Sequence, residues 1–380
     1  MFFDGMHGSA IKGANNAAPQ TGMDSGVDAI EHWDLPEKVV SSRRKTSAPL
    51  LPSSLPVIIL LGPTGVGKTA VSLLLAKALH SEIISADSMQ IYKHMDIGTA
   101  KPSAEQQQLI RHHMIDVAEP WESFSSGAYV SHAGPVIAAL LEKRRVPIIV
   151  GGAGLYIKTM TRGIFSGPSA DWVTRNELLH KEAAAPGSLY ARLKSMDPVA
   201  AEKIMPADAR RIVRALEVCL KSGRKLSEMR EESTKPFPYS FIKIGLARDR
   251  KELYETINSR VDAMIAQGLV AEVKRVLHLI KDNVDSTYGG NEALPLVPRH
   301  LPVACSSMQA IGYKEIAINL NGELNLDEAV NLIKQRSRNY AKRQFTWFKK
   351  EEGIKWVDVS GMLDPNDIFE KIKKKVPSLL

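Results

Sequence analysis

One eight-residue motif restricts the fold of this 380-residue chain more than any other feature. It follows the apolar run at residues 57–61, has the spacing G-x-x-x-x-G-K-[ST], and consists of Gly62, Pro63, Thr64, Gly65, Val66, Gly67, Lys68 and Thr69. In such a loop the backbone N–H groups turn toward an anion, the lysine adds positive charge and the last hydroxyl can bind Mg²⁺. Apolar residues recur at helical spacing over residues 70–79, so the motif lies between a strand and a helix, as it requires. The sequence therefore predicts an α/β fold that binds a di- or triphosphate, a property shared by kinases, NTPases and several transferases.

Cysteine content and hydropathy narrow the class of protein. Cys219 and Cys305 are far apart and belong to no C-x-x-C pair, so we expect neither a disulfide framework nor a zinc site. The chain has no apolar run of the length that crosses a bilayer, and we expect no membrane contact. Residues 1–50 show no periodic spacing of apolar residues, which predicts a flexible tail. This segment contains several acidic residues, whereas transit peptides contain few. We expect a monomeric cytoplasmic protein, with an organellar location left open.

Positive charge is concentrated in one segment. The formal net charge is +8, and residues 331–350 contain seven lysines and arginines without a carboxylate, interleaved with Tyr340, Phe345, Trp347 and Phe348. On a helix this pattern predicts a face that follows a phosphodiester backbone. The alternative is a solvated basic face whose aromatic side chains pack inward.

Further strands are predicted at residues 82–85, 146–150 and 241–246, and polar residues follow the first of them. Because the carboxyl ends of parallel strands meet at one edge of a sheet, Asp87 is expected close to the phosphate-binding motif. We predict a P-loop NTPase-like parallel sheet flanked by helices, with a small helical insertion domain. The expected division is a tail at 1–50, a core at 51–165, a helical insertion at 166–240, the rest of the core with basic helices at 241–360, and a terminal helix or tail at 361–380. Helices are predicted at 250–267 and 271–280, with a linker at 282–302.

Several short motifs together resemble one enzyme family. The run at residues 87–102 reads DSMQIYKHMDIGTAKP, and it is similar to the matching run of tRNA dimethylallyltransferases. Residues 151–156, 211–217 and 311–313, and Lys342-Arg343-Gln344 with Trp347, resemble further motifs of that family in the same order. The resemblance extends from about residue 56 to residue 357.

The resemblance implies transfer of a dimethylallyl group from dimethylallyl diphosphate to N6 of the adenosine beside a tRNA anticodon, with Mg²⁺ and without ATP hydrolysis. It implies that Asp87 is the general base and that the phosphate-binding motif holds the diphosphate. Lys68, Arg211 and Mg²⁺ on Thr69 would stabilise charge on the leaving oxygens. For Asp87 the alternatives are a Mg²⁺ ligand at the end of a Walker B-like strand, or a cap of the next segment.

The resemblance also implies contacts to the tRNA anticodon stem-loop, whose target adenine must leave its stack. The implied tRNA-binding residues are Asp87, Ser88, Met89, Gln90, Ala153, Arg175, Arg210, Arg211, Arg214, Gln309, Ala310, Ile311, Gly312, Tyr313 and Lys314. Three of them depart from the family pattern, because threonine, glutamine and arginine are usual at the positions of Ala153, Arg210 and Gln309. A C-terminal zinc finger of some eukaryotic members is absent from the sequence, which favours the compact bacterial or organellar form.

Three other functions stay open at this point. An enzyme that prenylates free adenine nucleotides would use the same loop and base, but it would not need the basic segment. A kinase or NTPase would need an acidic strand end, for which Met114-Ile115-Asp116 is the weak candidate. A non-catalytic RNA-binding protein would not need Lys68, Thr69 and Asp87 together.

Overall fold

A six-stranded parallel β-sheet forms the centre of the computed structural model, which describes residues 55–165, 167–234, 236–287 and 305–379. The strands are β1 (Val57–Leu61), β2 (Ile83–Ala86), β3 (His112–His113), β4 (Ile148–Gly151), β5 (Phe241–Ala247) and β6 (Ile354–Asp358). Their order is β3-β2-β4-β1-β5-β6, and β1 pairs with β4 through Ile58 and Ile148 and with β5 through Ile58 and Ile242. The sheet thus places β1 and its phosphate-binding motif between β4 and β5.

Fourteen α-helices lie in the described part of the chain. They are α1 (Lys68–Ala78), α2 (Ala104–Leu109), α3 (Ser126–Glu142), α4 (Gly154–Arg162), α5 (Trp172–Ala184), α6 (Ser188–Met196), α7 (Pro198–Glu202), α8 (Ala209–Ser222), α9 (Leu226–Ser233), α10 (Arg250–Ala266), α11 (Leu269–Thr287), α12 (Tyr313–Leu320), α13 (Leu326–Lys349) and α14 (Pro365–Lys375). None of these helices combines the length and apolar composition that a bilayer span needs.

Both faces of the sheet are covered because the strand residues alternate between two apolar clusters. Ile58 and Leu60 pack with α1 and α14 on one face, whereas Ile59 and Leu61 pack with α3 and α4 on the other. All five residues of β1 are buried, as is usual for a central parallel strand. The predicted α/β fold with a parallel sheet flanked by helices is confirmed.

Helices α5 to α9 form the insertion between β4 and β5, and they enclose a core of their own. Leu193 of α6, Leu216 of α8 and Leu226 of α9 are almost completely buried in this core. A separate cluster joins α10 to α13 with the segment that follows β2, through residues such as Ile91, Val273 and Tyr313. This cluster around Ile91, Val273 and Tyr313 contains residues of the elements that face the phosphate-binding motif.

The sequence-based elements differ from the structure at several places. The predicted strands at 82–85 and 146–150 are displaced by one or two residues, and β3 and β6 were not predicted. The predicted linker at 282–302 is wrong at its start, since α11 continues to Thr287. The rest of this linker lies outside the described residues. The predicted tail at residues 1–50 also lies outside them. The candidate acidic strand end for a kinase or NTPase, Met114-Ile115-Asp116, follows β3. Met114 and Asp116 have positive φ, and Asp116 forms an ion pair with Lys101 at 2.5 Å.

Candidate active site

The phosphate-binding motif, hereafter the phosphate loop (residues 62–69), turns sharply between β1 and α1. Gly62, Gly65 and Gly67 have φ values of 152°, 81° and 102°, a region that side chains rarely adopt. A Cβ on Gly62 would also lie 2.7 Å from the carbonyl oxygen of Leu246 on β5. Gly67 is the N-cap of α1 and has no side chain to cap the first N–H groups. The loop and the first turn of α1 thus offer backbone donors to an anion.

Lys68 folds back over the loop. Its Nζ donates hydrogen bonds to the carbonyl oxygens of Gly62 at 2.9 Å and Pro63 at 2.8 Å. Burial lowers the pKa of Lys68 to about 8, Asp87 opposes that shift, and Arg260 adds to it. Thr69 is the second residue of α1 and is exposed. The loop therefore holds a cation whose charge is costly in the absence of an anion.

Asp87 lies directly after β2, at the same edge of the sheet as the phosphate loop. Its Oδ1 accepts hydrogen bonds from the backbone N–H groups of Met89 at 2.9 Å and Gln90 at 3.4 Å, so the side chain caps the turn that follows β2. Within the described residues these two bonds engage Oδ1 and not Oδ2. The carboxylate also acts on the pKa values of Lys68 and Arg260. Asp87 can therefore be both a turn cap and a base.

A cavity of about 300 Å³ lies between Asp87 and the phosphate loop. Its walls come from the loop, the turn after β2, the segment before α12, and helices α10 and α13. The lining residues are Thr64, Asp87, Ser88, Met89, Gly98, Thr99, Ile257, Arg260, Val261, Met264, Gln309, Ala310, Ile311, Ile333, Ser337, Tyr340 and Arg343. The structure thus brings seven sequence-predicted site residues together, namely Thr64, Asp87, Ser88, Met89, Gln309, Ala310 and Ile311. The volume is at the lower limit for a small-ligand site.

Arg260 is a cavity residue that the sequence did not predict. It lies on α10, lines the cavity, and its Nη1 donates to Thr64 Oγ1 at 3.4 Å. Burial lowers the pKa of Arg260, and the nearby carboxylate of Asp87 opposes the shift. Arg260 occurs in an ordinary amphipathic helix without a phosphate-binding motif. Only the packing of α10 beside the phosphate loop reveals its position.

Two residues of α13 extend the same group of polar side chains. Tyr340 and Arg343 both line the cavity, and the Arg343 guanidinium carbon lies 5.8 Å from the centroid of the Tyr340 ring. Burial raises the pKa of Tyr340, and Asp87 raises it further. The basic segment recognised in the sequence therefore contributes an aromatic hydroxyl and a guanidinium to the cavity itself.

Other predicted residues support the walls of the cavity from behind. The Gln90 amide donates to the carbonyl oxygens of Thr99 at 3.3 Å and Ala100 at 3.1 Å, and its Oε1 accepts from Ser85 Oγ at 3.0 Å. Tyr313 is completely buried, and its hydroxyl donates to Glu272 Oε1 at 2.5 Å.

Three more predicted residues surround these walls. Gly312 is the N-cap of α12, Lys314 reaches Gln309 Oε1 at 3.5 Å, and the Ala153 N–H donates to the Ala86 carbonyl at 3.0 Å. Their contacts in this structure are with the protein itself.

The four predicted arginines of the insertion do not line the cavity. Arg175 binds the buried carboxylate of Glu217 at 2.9 Å and 3.0 Å, and Arg214 binds Glu217 and the Pro168 carbonyl. Arg211 is 71% exposed and pairs with Asp208 at 3.2 Å, and Arg210 is exposed. The arginine placed beside the phosphate loop is Arg260, not Arg211. Arg210 and Arg211 instead present charge on the surface of α8.

Comparisons with known proteins all indicate one family. The family model for IPP transferase matches residues 90–351. A tRNA dimethylallyltransferase of Thermodesulfovibrio yellowstonii is 53% identical over 324 residues, which are 85% of this chain and 98% of that protein. The full-length tRNA isopentenylpyrophosphate transferase of Bacillus halodurans is 36% identical, with a TM-score of 0.57 over 85% of this chain and 97% of that one. A eukaryotic dimethylallyltransferase acting on tRNA is 28% identical, with a TM-score of 0.65 over 81% and 75% of the two chains.

The matched residues include α10 and α13, which form two walls of the cavity. The chain therefore belongs to the IPP transferase family, the tRNA dimethylallyltransferases.

Proposed function

We propose that this protein transfers the dimethylallyl group of dimethylallyl diphosphate to N6 of the adenosine that follows the anticodon of a tRNA. The bond between C1 of the prenyl group and the diphosphate oxygen breaks, and a bond between C1 and N6 forms. One N6 proton passes to a protein base, and diphosphate leaves. The family membership supports the reaction, and the following residue roles are argued from the cavity.

The phosphate loop and Arg260 suit the diphosphate half of the reaction. An allylic carbon develops cationic character as it departs, so negative charge grows on the leaving oxygens. Arg260 lines the cavity, Lys68 belongs to the loop whose Thr64 lines it, and the loop amides add donors at the N-terminus of α1. Burial weakens the hydration of both cations, which strengthens their attraction to the departing anion. We assign the charge stabilisation predicted for Arg211 to Arg260.

Asp87 suits the adenine half of the reaction. The N6 lone pair is delocalised into the purine ring, so a carboxylate that accepts a proton raises its reactivity. The turn after β2 fixes Oδ1 through two backbone N–H groups, and Asp87 lines the cavity. Met89, Ile257 and Met264 supply apolar walls for a flipped base and the prenyl chain. Asp87 also keeps Lys68 charged, because its carboxylate raises that pKa against the effect of burial.

Magnesium fits this donor set. Mg²⁺ keeps several waters and usually binds few protein groups beside substrate phosphates, and the exposed hydroxyl of Thr69 is placed to be one of them. No cluster of three or more His, Cys, Asp or Glu ligands occurs among the residues described by the structure. When bound, Mg²⁺ would neutralise charge on the diphosphate oxygens. Thr69 would hold it through one oxygen.

The insertion and α13 suit an anticodon stem-loop. Arg210 and Arg211 are exposed on α8, and Arg343 lies at the cavity, so cations are available both at the cavity and away from it. A target adenine must leave its stack to reach Asp87. A mononucleotide would need the cavity alone, whereas a stem-loop would also use the α8 surface.

The observation that carries this function is that Asp87 and Thr64 of the phosphate loop line one cavity. The test is mass spectrometry of nucleosides from an anticodon stem-loop incubated with dimethylallyl diphosphate, with AMP as the competing acceptor. We expect N6-isopentenyladenosine in the stem-loop.

The Asp87→Asn variant should lower turnover about 100-fold and leave RNA affinity unchanged, because asparagine can still cap the turn. Asp262→Asn on α10 is the matched control, since Asp262 pairs with Lys334 and does not line the cavity. Equal losses in RNA affinity and turnover for Asp87→Asn would contradict the base role. Preferential prenylation of AMP would contradict the assignment of the acceptor.

A further inference from the structure

We propose that Gln344 is a positioning residue that fixes the phosphate loop against the glycine turn after β4 and so sets the geometry of diphosphate binding. The inference rests on the proposed function in one respect, that the phosphate loop holds a diphosphate. Gln344 does not line the cavity, so it acts through the residues that it binds, the phosphate loop among them.

Both ends of the Gln344 amide are bound to backbone groups on different elements. Oε1 accepts the N–H of Thr64 at 2.8 Å, and Nε2 donates to the carbonyl oxygen of Gly152 at 2.9 Å. Gln344 is 6% exposed, and it lies 280 residues from Thr64 in the chain. A buried amide with both ends satisfied fixes its partners strongly, because water cannot replace either bond.

The turn after β4 is shaped around this side chain. A Cβ on Gly152 would lie 2.2 Å from Gln344 Nε2 and 3.5 Å from the Gly62 carbonyl oxygen. The φ of Gly152 is not in the left-handed region, so the space requirement and not the backbone demands glycine. One helical turn further along α13, Trp347 packs against Gly154 in the same way, because a Cβ on Gly154 would lie 2.6 Å from the Trp347 ring. The two glycines thus allow α13 to approach the edge of the sheet.

Thr64 is the residue through which this contact reaches the ligand. Its backbone N–H binds Gln344, its Oγ1 accepts from Arg260, and its side chain lines the cavity. It precedes Gly65 to Lys68, whose amides lead into the N-terminus of α1. Displacement of Thr64 would therefore move the loop amides relative to Arg260. Because α13 also contributes Tyr340 and Arg343 to the cavity, one helix fixes both the RNA-facing wall and the phosphate loop.

The experiment is a double-mutant cycle between Gln344→Ala and Gly152→Ala. Gly152→Ala adds a methyl group that pushes the Gln344 amide aside, so each single variant should break the same clamp. We expect each to weaken the binding of dimethylallyl diphosphate with Mg²⁺ about tenfold, measured by calorimetry without RNA. In the double variant the added methyl has space, and Gly152→Ala should cost nothing more.

Activity assays and a control distinguish positioning from general damage. Each single variant should raise KM for dimethylallyl diphosphate about tenfold and leave the Kd for an anticodon stem-loop unchanged. Gln335→Ala, an exposed glutamine on the same helix, should change neither quantity. If Gln344→Ala fails to fold, the Gly152→Ala variant and its cycle with Gln344→Asn provide the same comparison.

Unchanged diphosphate affinity in either folded single variant would overturn the proposal, and so would additive losses in the double variant. Because the calorimetry uses no RNA, it is independent of the acceptor. Failure of the wild-type protein to modify a stem-loop would contradict the proposed function without touching the role of Gln344.

Discussion

The pH dependence of diphosphate binding follows from the position of Lys68. Burial lowers its pKa from 10.5 to about 8 in the free protein. A bound diphosphate places negative charge beside Nζ and should return the pKa to 10.5 or above. Affinity should therefore be constant below pH 8 and fall about tenfold per pH unit above it, or roughly 30-fold between pH 7 and pH 9.5.

Isothermal titration calorimetry with dimethylallyl diphosphate measures this effect directly. The phosphate group completes its own ionisation near pH 6, roughly two units below the window of interest. At pH 9 about nine-tenths of the free protein should have a neutral Lys68, so binding should take up about 0.9 proton per diphosphate. Buffers with different ionisation enthalpies report that uptake.

Lys68→Arg is the matched variant, because arginine stays protonated throughout the range. Its affinity should show no decline above pH 8, whatever its value at pH 7. The same shift affects folding. The folded protein carries the cost of a buried charge below pH 8, and this cost is lost as the pH rises from about 8 to 10.5, so the free energy of unfolding should increase over that interval. A wild-type affinity that is constant from pH 7 to 9.5 would refute the reasoning.

Two further predictions concern Arg260 and Glu272. Arg260→Ala removes one charged contact to the diphosphate and should raise KM for dimethylallyl diphosphate about tenfold or more, whereas Arg211→Ala should weaken only RNA binding. Steady-state kinetics in which each substrate is varied in turn distinguishes the two effects. An effect on the diphosphate KM confined to Arg211→Ala would reverse our assignment. Glu272 is 1% exposed and accepts bonds from the N–H groups of Asp96, Ile97 and Gly98 and from Tyr313, so Glu272→Ala should lower the free energy of unfolding by about 3 kcal/mol in urea titrations. The exposed Glu323→Ala should change it by less than about 0.5 kcal/mol, and similar values for the two variants would contradict the role of Glu272.

Local patterns predicted the parts of the fold that are local in sequence. The phosphate loop, the strands β1, β2, β4 and β5, and the helical insertion each have a continuous pattern of apolar residues or glycines. The edge strands β3 and β6 lack one. His112–His113 forms only two residues of strand, and β6 (Ile354–Asp358) has one buried residue, so neither shows a clear period.

The site was predictable where a motif marks it and unpredictable where packing creates it. Asp87 follows a strand, and the topology of a parallel sheet places it near the phosphate loop. Arg260 reaches the loop from a helix far along the chain, and its helical pattern resembles that of any half-buried face. Gln344 belongs to a motif that resembles one of the family, but that motif did not indicate its contact with the loop. The resemblance to known enzymes suggested Arg211 for the role beside the diphosphate, but the structure exposes its side chain on the insertion. A residue brought in by a long-range helix contact carries no local pattern.

The C-terminal elements complete the support of the phosphate loop. Ile368 and Ile372 of α14 pack with Val71 and Leu75 of α1, and β6 joins the sheet beside β5. During synthesis the loop leaves the ribosome long before α14, so α1 behind the loop finds this partner only after residues 365–375 have been made. Contacts of such long sequence separation form slowly. A nascent chain without α14 would therefore lack this support behind the loop that holds the prenyl donor, so the ability to modify RNA would arise only once α14 has been made.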